Sequence, residues 1–105
     1  MKGLTLLLVD DEPLMRLSMV DALEAVGCEV QAASTGTEGI EAIRAKTYDV
    51  VITDLRLPGV DGLTVLQTAK SKEPQTEVLV ITAHGSVETA VEAMKLGAFD
   101  YITKP

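Results

Sequence analysis

Apolar residues along this chain follow two alternating patterns. Leu4 to Val9, Glu29 to Ala33, Asp49 to Thr53, Glu77 to Thr82 and Phe99 to Ile102 are short stretches rich in β-branched or aliphatic side chains, and they read as strands. LTLLLV, DVVIT and EVLVIT, the first, third and fourth of them, are almost continuously apolar. That is the pattern of strands covered on both faces, so a central parallel sheet is expected. Between the strands, apolar positions recur at helical spacing, as in Leu14, Leu17, Met19, Val20, Leu23 and Val26, and again in Val87, Ala90, Val91 and Met94. Pro13 suits a first helical turn, Gly27 and Gly97 suit positions just past a helix end, and Ser86 with Thr89 in SVET offers a cap.

The resulting order, β-α-β-α-β-α-β-α-β, predicts an α/β fold with right-handed crossovers. The architecture expected is a doubly wound five-stranded parallel sheet in the flavodoxin-like strand order 2-1-3-4-5. Only Thr103, Lys104 and Pro105 follow the fifth strand, where such a sheet would carry one more helix. The expectation is therefore one domain over residues 1–105, truncated after strand five, with the fifth helix missing. One face of strands one, three, four and five should then expose apolar side chains and favour a homodimer.

Composition narrows the function. The 105 residues, 47% of them hydrophobic, can fill one core. Nine Lys plus Arg against sixteen Asp plus Glu leave a formal charge of −7, which repels a phosphate backbone. Direct nucleic-acid binding by this segment is not expected; a cation is the more natural ligand. Cys28 is the single cysteine, so the chain can form neither an intrachain disulfide nor a two-thiol zinc site. The apolar run from Leu4 ends at Asp10 and is far short of the roughly 20 residues that span a bilayer. A cytoplasmic location with no membrane segment is the reading.

Ligands of open α/β sheets bind outside the carboxyl ends of the strands, where strand order reverses. Asp10, Asp11 and Glu12 follow strand one, Asp54 follows strand three, Thr82 ends strand four, and Lys104 follows strand five. Taken singly, each has an ordinary structural role: Asp11 and Glu12 as helix-start residues, Asp54 beside the Pro58–Gly59 turn, Thr82 as a strand residue, Lys104 as a solvated charge. Together they converge on one crevice. Paired carboxylates there can hold Mg²⁺, which keeps waters and takes phosphate oxygens as further ligands. A third carboxylate can act as a nucleophile through an aspartyl-phosphate, and Asp54 is the candidate. Lys104 and the Thr82 hydroxyl can bind phosphoryl oxygens. Carboxylates about 5 Å apart repel by about 3 kcal/mol per pair at an effective dielectric near 20, so an empty site should be strained.

VDDEP at 9–13, DLRLPGVDG at 54–62, ITAHGS at 81–86 and GAFDYITKP at 97–105 make the chain resemble the receiver domain of bacterial two-component response regulators. The 81–105 stretch is similar to regulators of the nitrogen-regulatory type. The resemblance implies Asp54 as phosphoryl acceptor, and Asp10, Asp11 and Asp54 with the Arg56 backbone carbonyl as ligands of Mg²⁺, for which Mn²⁺ can substitute. It further implies Thr82 and Lys104 as phosphoryl contacts, Tyr101 as the aromatic switch residue paired with Thr82, and a cis Lys104–Pro105 bond. A sensor histidine kinase is the implied partner. The implied output is transcriptional control through a domain beyond residue 105, a sigma-54-dependent ATPase with a DNA-binding domain. On this reading the chain is not an enzyme, since it catalyses only its own phosphorylation and dephosphorylation. His84 and Arg56, two residues past Thr82 and Asp54, are placed to gate attacking water.

Three rivals carry different signatures. A flavodoxin-like cofactor binder needs Gly, Ser or Thr in the first loop, where this chain has DDEP. An aspartate-dependent phosphatase needs its nucleophile after strand one and a substrate cap. A degenerate receiver serving only as an interaction module would have lost some of the five site residues.

Overall fold

Side chains alternate across a strand, so in a sheet covered on both sides each strand feeds two cores. The computed structural model describes residues 3–104. Its elements run β1 (Thr5–Val9), α1 (Pro13–Ala25), β2 (Glu29–Ala33), α2 (Gly36–Ala45), β3 (Val50–Asp54), α3 (Gly62–Lys72), β4 (Glu77–Thr82), α4 (Val87–Lys95) and β5 (Asp100–Thr103). All strand pairs are parallel and the order is β2-β1-β3-β4-β5, the 2-1-3-4-5 arrangement expected from the pattern. Leu7, Val9, Val51, Val78 and Val80 point to one side and pack with Ile40 and Ile43 of α2, Val65 and Leu66 of α3 and Ala93 of α4. Leu6, Leu8, Ile52 and Ile81 point to the other and are met by Met19, Val20 and Leu23 of α1. No helix among the described residues is long and apolar enough to cross a membrane.

The helix ends follow local chemistry. Pro13 opens α1, where its missing N–H costs nothing. Ser86 and Thr89 form a full capping box at the start of α4, as SVET implied. Gly27 and Gly97 take φ of 96° and 100° just beyond α1 and α4, a left-handed conformation open to glycine at no steric cost.

Two helical stripes differ from the reading of the sequence. On α1, Met19, Val20 and Leu23 face the sheet, whereas Leu14 is 82% and Leu17 61% exposed. At about 100° per residue, Leu14 lies nearly half a turn from the inward stripe. On α4 the inward residue is Ala93, and Val87, Val91 and Met94 are exposed. The apolar face expected to be bare is also narrower than anticipated. Leu6, Leu8, Ile52 and Ile81 are buried in one cluster with Met19, Val20 and Leu23 of α1, whereas Ile102 on the edge strand and Phe99 just before it are exposed.

Strand boundaries shift by one residue at β3, which runs through Asp54 because Asp54 pairs with Ile81 of β4 and the Leu55 amide donates to the Ile81 carbonyl at 2.9 Å. Gly62 presses on that same turn. Its amide donates to the Leu55 carbonyl at 2.8 Å, and a Cβ at position 62 would stand 2.0 Å from the Asp54 carbonyl oxygen. Gly62→Ala should therefore destabilise the fold by about 2 kcal/mol, the scale of overpacking, despite alanine's better helix propensity. Denaturant titration of the two proteins checks this; equal midpoints would show slack in the backbone carrying Asp54.

Candidate functional site

β1 and β3 are neighbours, so the residue beyond the first and the last residue of the second meet at one end of the sheet. These are Asp10 and Asp54, both buried. β5 is separated from β3 by β4, yet Lys104 bridges the gap with its long side chain. Its backbone is anchored first, the amide donating to the Thr82 carbonyl at 2.7 Å. Its Nζ then stands 2.8 Å from Asp54 Oδ2, 2.9 Å from Glu12 Oε1 and 3.2 Å from Asp10 Oδ2. Burial alone would push this ammonium toward neutrality. The contacts it makes with the carboxylates of Asp54, Glu12 and Asp10 outweigh it and hold Lys104 well above the ordinary lysine range. The strain expected of clustered carboxylates is thus largely offset by one cation in their midst.

The carboxylates have different local partners. Asp10 Oδ1 accepts from the Glu12 amide at 2.9 Å, and Asp54 Oδ1 accepts from the Arg56 amide at 3.2 Å. Asp10 Oδ2 is buried and, among the described residues, is met by the Lys104 ammonium at 3.2 Å as an ion pair that lacks hydrogen-bond geometry. Asp10, Glu12 and Asp54 each offer an oxygen within 4.8 Å of the others. An all-oxygen donor set that already gathers around one cation, the Lys104 ammonium, is of the kind that suits a hard metal cation.

Of the residues singled out in the sequence, Asp10, Asp54 and Lys104 come together directly. Thr82 is buried at the end of β4, next to β3, and its hydroxyl accepts from the His84 amide at 3.1 Å. Arg56 is exposed and touches the site through its backbone amide. Asp11 is exposed and lies outside the group of three carboxylates. Tyr101, half-buried on β5, has its hydroxyl 2.7 Å from Thr89 Oγ1. Pro105, and with it the expected cis bond, lies outside the described residues.

Two participants were given no role in the site by the sequence reading. Glu12 reaches Lys104; the signal that marks it is its place at the N-cap of α1, a position where Ser, Thr, Asp or Asn would cap and Glu does not. Thr89 completes the α4 capping box and also meets Tyr101, a contact across 12 positions that no local pattern announces. The ring sits where Gly85 has no side chain, since a Cβ there would be 2.7 Å from the Tyr101 hydroxyl.

Comparison with known proteins identifies the family and matches the fold. The response regulator receiver domain family matches residues 6–105. The chain is 40% identical over 97 residues to the DNA-binding transcriptional regulator NtrC of Escherichia coli strain K12, covering 92% of this chain and 21% of that protein. It thus spans about a fifth of the length of this curated relative. A receiver domain protein from Clostridium thermocellum superposes with a TM-score of 0.89 at 38% identity, over 97% of this chain and 82% of that one. A Burkholderia pseudomallei response regulator, solved with a phosphorylated aspartic acid, a calcium ion and citrate, gives a TM-score of 0.92 at 29% identity, over 98% and 61%.

Proposed function

Because the chain belongs to the response regulator receiver family, we propose that it is a phosphorylatable switch whose Asp54 takes a phosphoryl group from a sensor histidine kinase or a small phosphodonor. One observation carries the reading: a buried aspartate whose Oδ2 is 2.8 Å from a buried lysine, at the end of a central strand beside a buried threonine hydroxyl. A capping or solvated role needs none of these.

In the transfer, an Asp54 carboxylate oxygen attacks phosphorus while the bond from phosphorus to the donor breaks. The donor leaves as imidazole from a phosphohistidine, or as acetate from acetyl phosphate. Lys104 and the Thr82 hydroxyl bind the phosphoryl oxygens and hold them for in-line displacement. Asp10, Asp11, Asp54 and the Arg56 carbonyl would hold Mg²⁺ or Mn²⁺, which when bound neutralises charge on those oxygens. Water later hydrolyses the aspartyl-phosphate, so the domain turns over only its own modification.

The Thr82 hydroxyl that turns toward a phosphoryl group gives up the His84 amide. That frees the loop leading to the Ser86–Thr89 cap of α4, whose Thr89 holds Tyr101. Loop, helix and ring then shift as one unit and change the α4/β5 surface, a population shift of the kind local switches drive. The reading extends to a cytoplasmic regulator in which this domain, as a homodimer in one form, controls a sigma-54-dependent ATPase with a DNA-binding domain beyond residue 105. Treatment with acetyl phosphate and Mg²⁺ should place one phosphoryl group on the peptide containing Asp54, read by mass spectrometry. Fluoroberyllate should shift amide NMR signals from residues 83–90 and Tyr101. Modification at another residue would overturn the acceptor assignment, and unmoved amides would overturn the switch.

A further inference from the structure

Both backbone polar groups of Glu12 are hydrogen-bonded. Its amide donates to Asp10 Oδ1 at 2.9 Å, and its carbonyl accepts from the Arg16 amide at 2.9 Å in the first turn of α1. It occupies the N-cap position with extended backbone, yet its side chain makes no capping hydrogen bond. An aspartate at an N-cap accepts from the amides of the first turn, which the longer glutamate does not do here. This one reaches outward to Lys104 Nζ at 2.9 Å, a contact between residues 92 positions apart.

The three partners of Lys104 are not equivalent. The Asp10 side chain is 0% exposed and that of Asp54 is 7%, whereas that of Glu12 is 58%. A buried carboxylate that loses its cation pays the cost of an uncompensated charge, but Glu12 can exchange Lys104 for water at little cost. When Lys104 follows a phosphoryl group on Asp54, the contact it can surrender is the one to Glu12. Resting on the phosphoryl-acceptor reading above, we infer that Glu12 is a positioning residue, a resting-state tether that holds the Lys104 ammonium at the mouth of the site and must release it for transfer to proceed.

Two substitutions separate a tether from a charge at the entrance. Glu12→Ala removes both. Glu12→Asp keeps the charge but is one methylene shorter, and aspartate at an N-cap turns to the helix amides instead. The tether predicts that both variants take phosphoryl from acetyl phosphate with Mg²⁺ about two- to fivefold faster than the parent, the range expected for an exposed ion pair. A second readout needs no phosphorylation: the Lys104 Nζ ammonium signal in ¹⁵N NMR of the metal-free protein should move in both variants. If Glu12→Asp keeps the parental rate and signal while Glu12→Ala is faster, entrance charge is the cause and the tether is wrong. Parental rates in both variants overturn it as well. If the parent takes up no phosphoryl group, the acceptor reading fails, and the ammonium signal alone decides whether Glu12 holds Lys104.

Discussion

Asp54→Asn should abolish phosphoryl uptake while leaving stability within about 1 kcal/mol of the parent. The first half follows from chemistry, because an amide oxygen lacks the charge and nucleophilicity to form the acyl phosphate. The second follows from competing electrostatics. Asp54 is repelled by Asp10 and Glu12, whose oxygens lie within 4.8 Å, and attracted by Lys104 at 2.8 Å. At an effective dielectric near 20, each repulsion is about 3 kcal/mol and the attraction about 6, so neutralising Asp54 removes terms that nearly cancel. Asparagine keeps an oxygen that can accept from Nζ. Phosphoryl incorporation from acetyl phosphate, paired with urea titrations of both proteins, checks the two halves together. Incorporation that survives the substitution would remove Asp54 as acceptor; a loss of several kcal/mol would mean that its charge is structural.

Lys104→Met should behave in the opposite way, costing about 3–5 kcal/mol, the range for breaking a buried ion pair from one side. Methionine fills much of the same volume but leaves Asp10 and Asp54 as buried like charges without a cation. Adding Asp54→Asn to Lys104→Met should recover a large part of the loss, because residues sharing one network are not additive. A double-mutant cycle by denaturant titration measures that coupling, and strict additivity would show that Lys104 does not act through Asp54. The same contact sets a pH dependence. The folded-state value of Lys104 lies above its unfolded value of about 10.5, so its stabilisation is complete below that pH and is lost as pH rises through the folded value. Parent and Lys104→Met should therefore differ in stability by a constant amount from pH 7 to 10 and converge at more alkaline pH.

The order of elements, the parallel sheet and the identities of Asp10, Asp54, Thr82 and Lys104 were legible in the sequence. Each is written in a short-range signal: continuous apolar runs for strands covered twice, Pro13 and SVET at helix starts, and polar residues at strand ends. The inward stripes of α1 and α4 were legible only in part, because periodicity locates apolar positions but not the direction from which the sheet approaches. Leu14 and Val87 fit the helical spacing as well as Val20 does, and only packing separates them.

What the sequence determined by itself was the set of groups available and the strand ends that carry them, since both depend on neighbours within a few residues. Which of those groups touch was decided by the tertiary structure. Lys104 lies 50 positions from Asp54 and 92 from Glu12, and it meets them only because the strand order sets β4 between β3 and β5 and lets one long side chain span the gap. That Glu12 reaches Lys104 while Asp11 stays exposed, and that Thr89 meets Tyr101, are likewise contacts between distant parts of the chain. Such contacts are fixed by the geometry of burial across the whole sheet, which no window of the sequence contains.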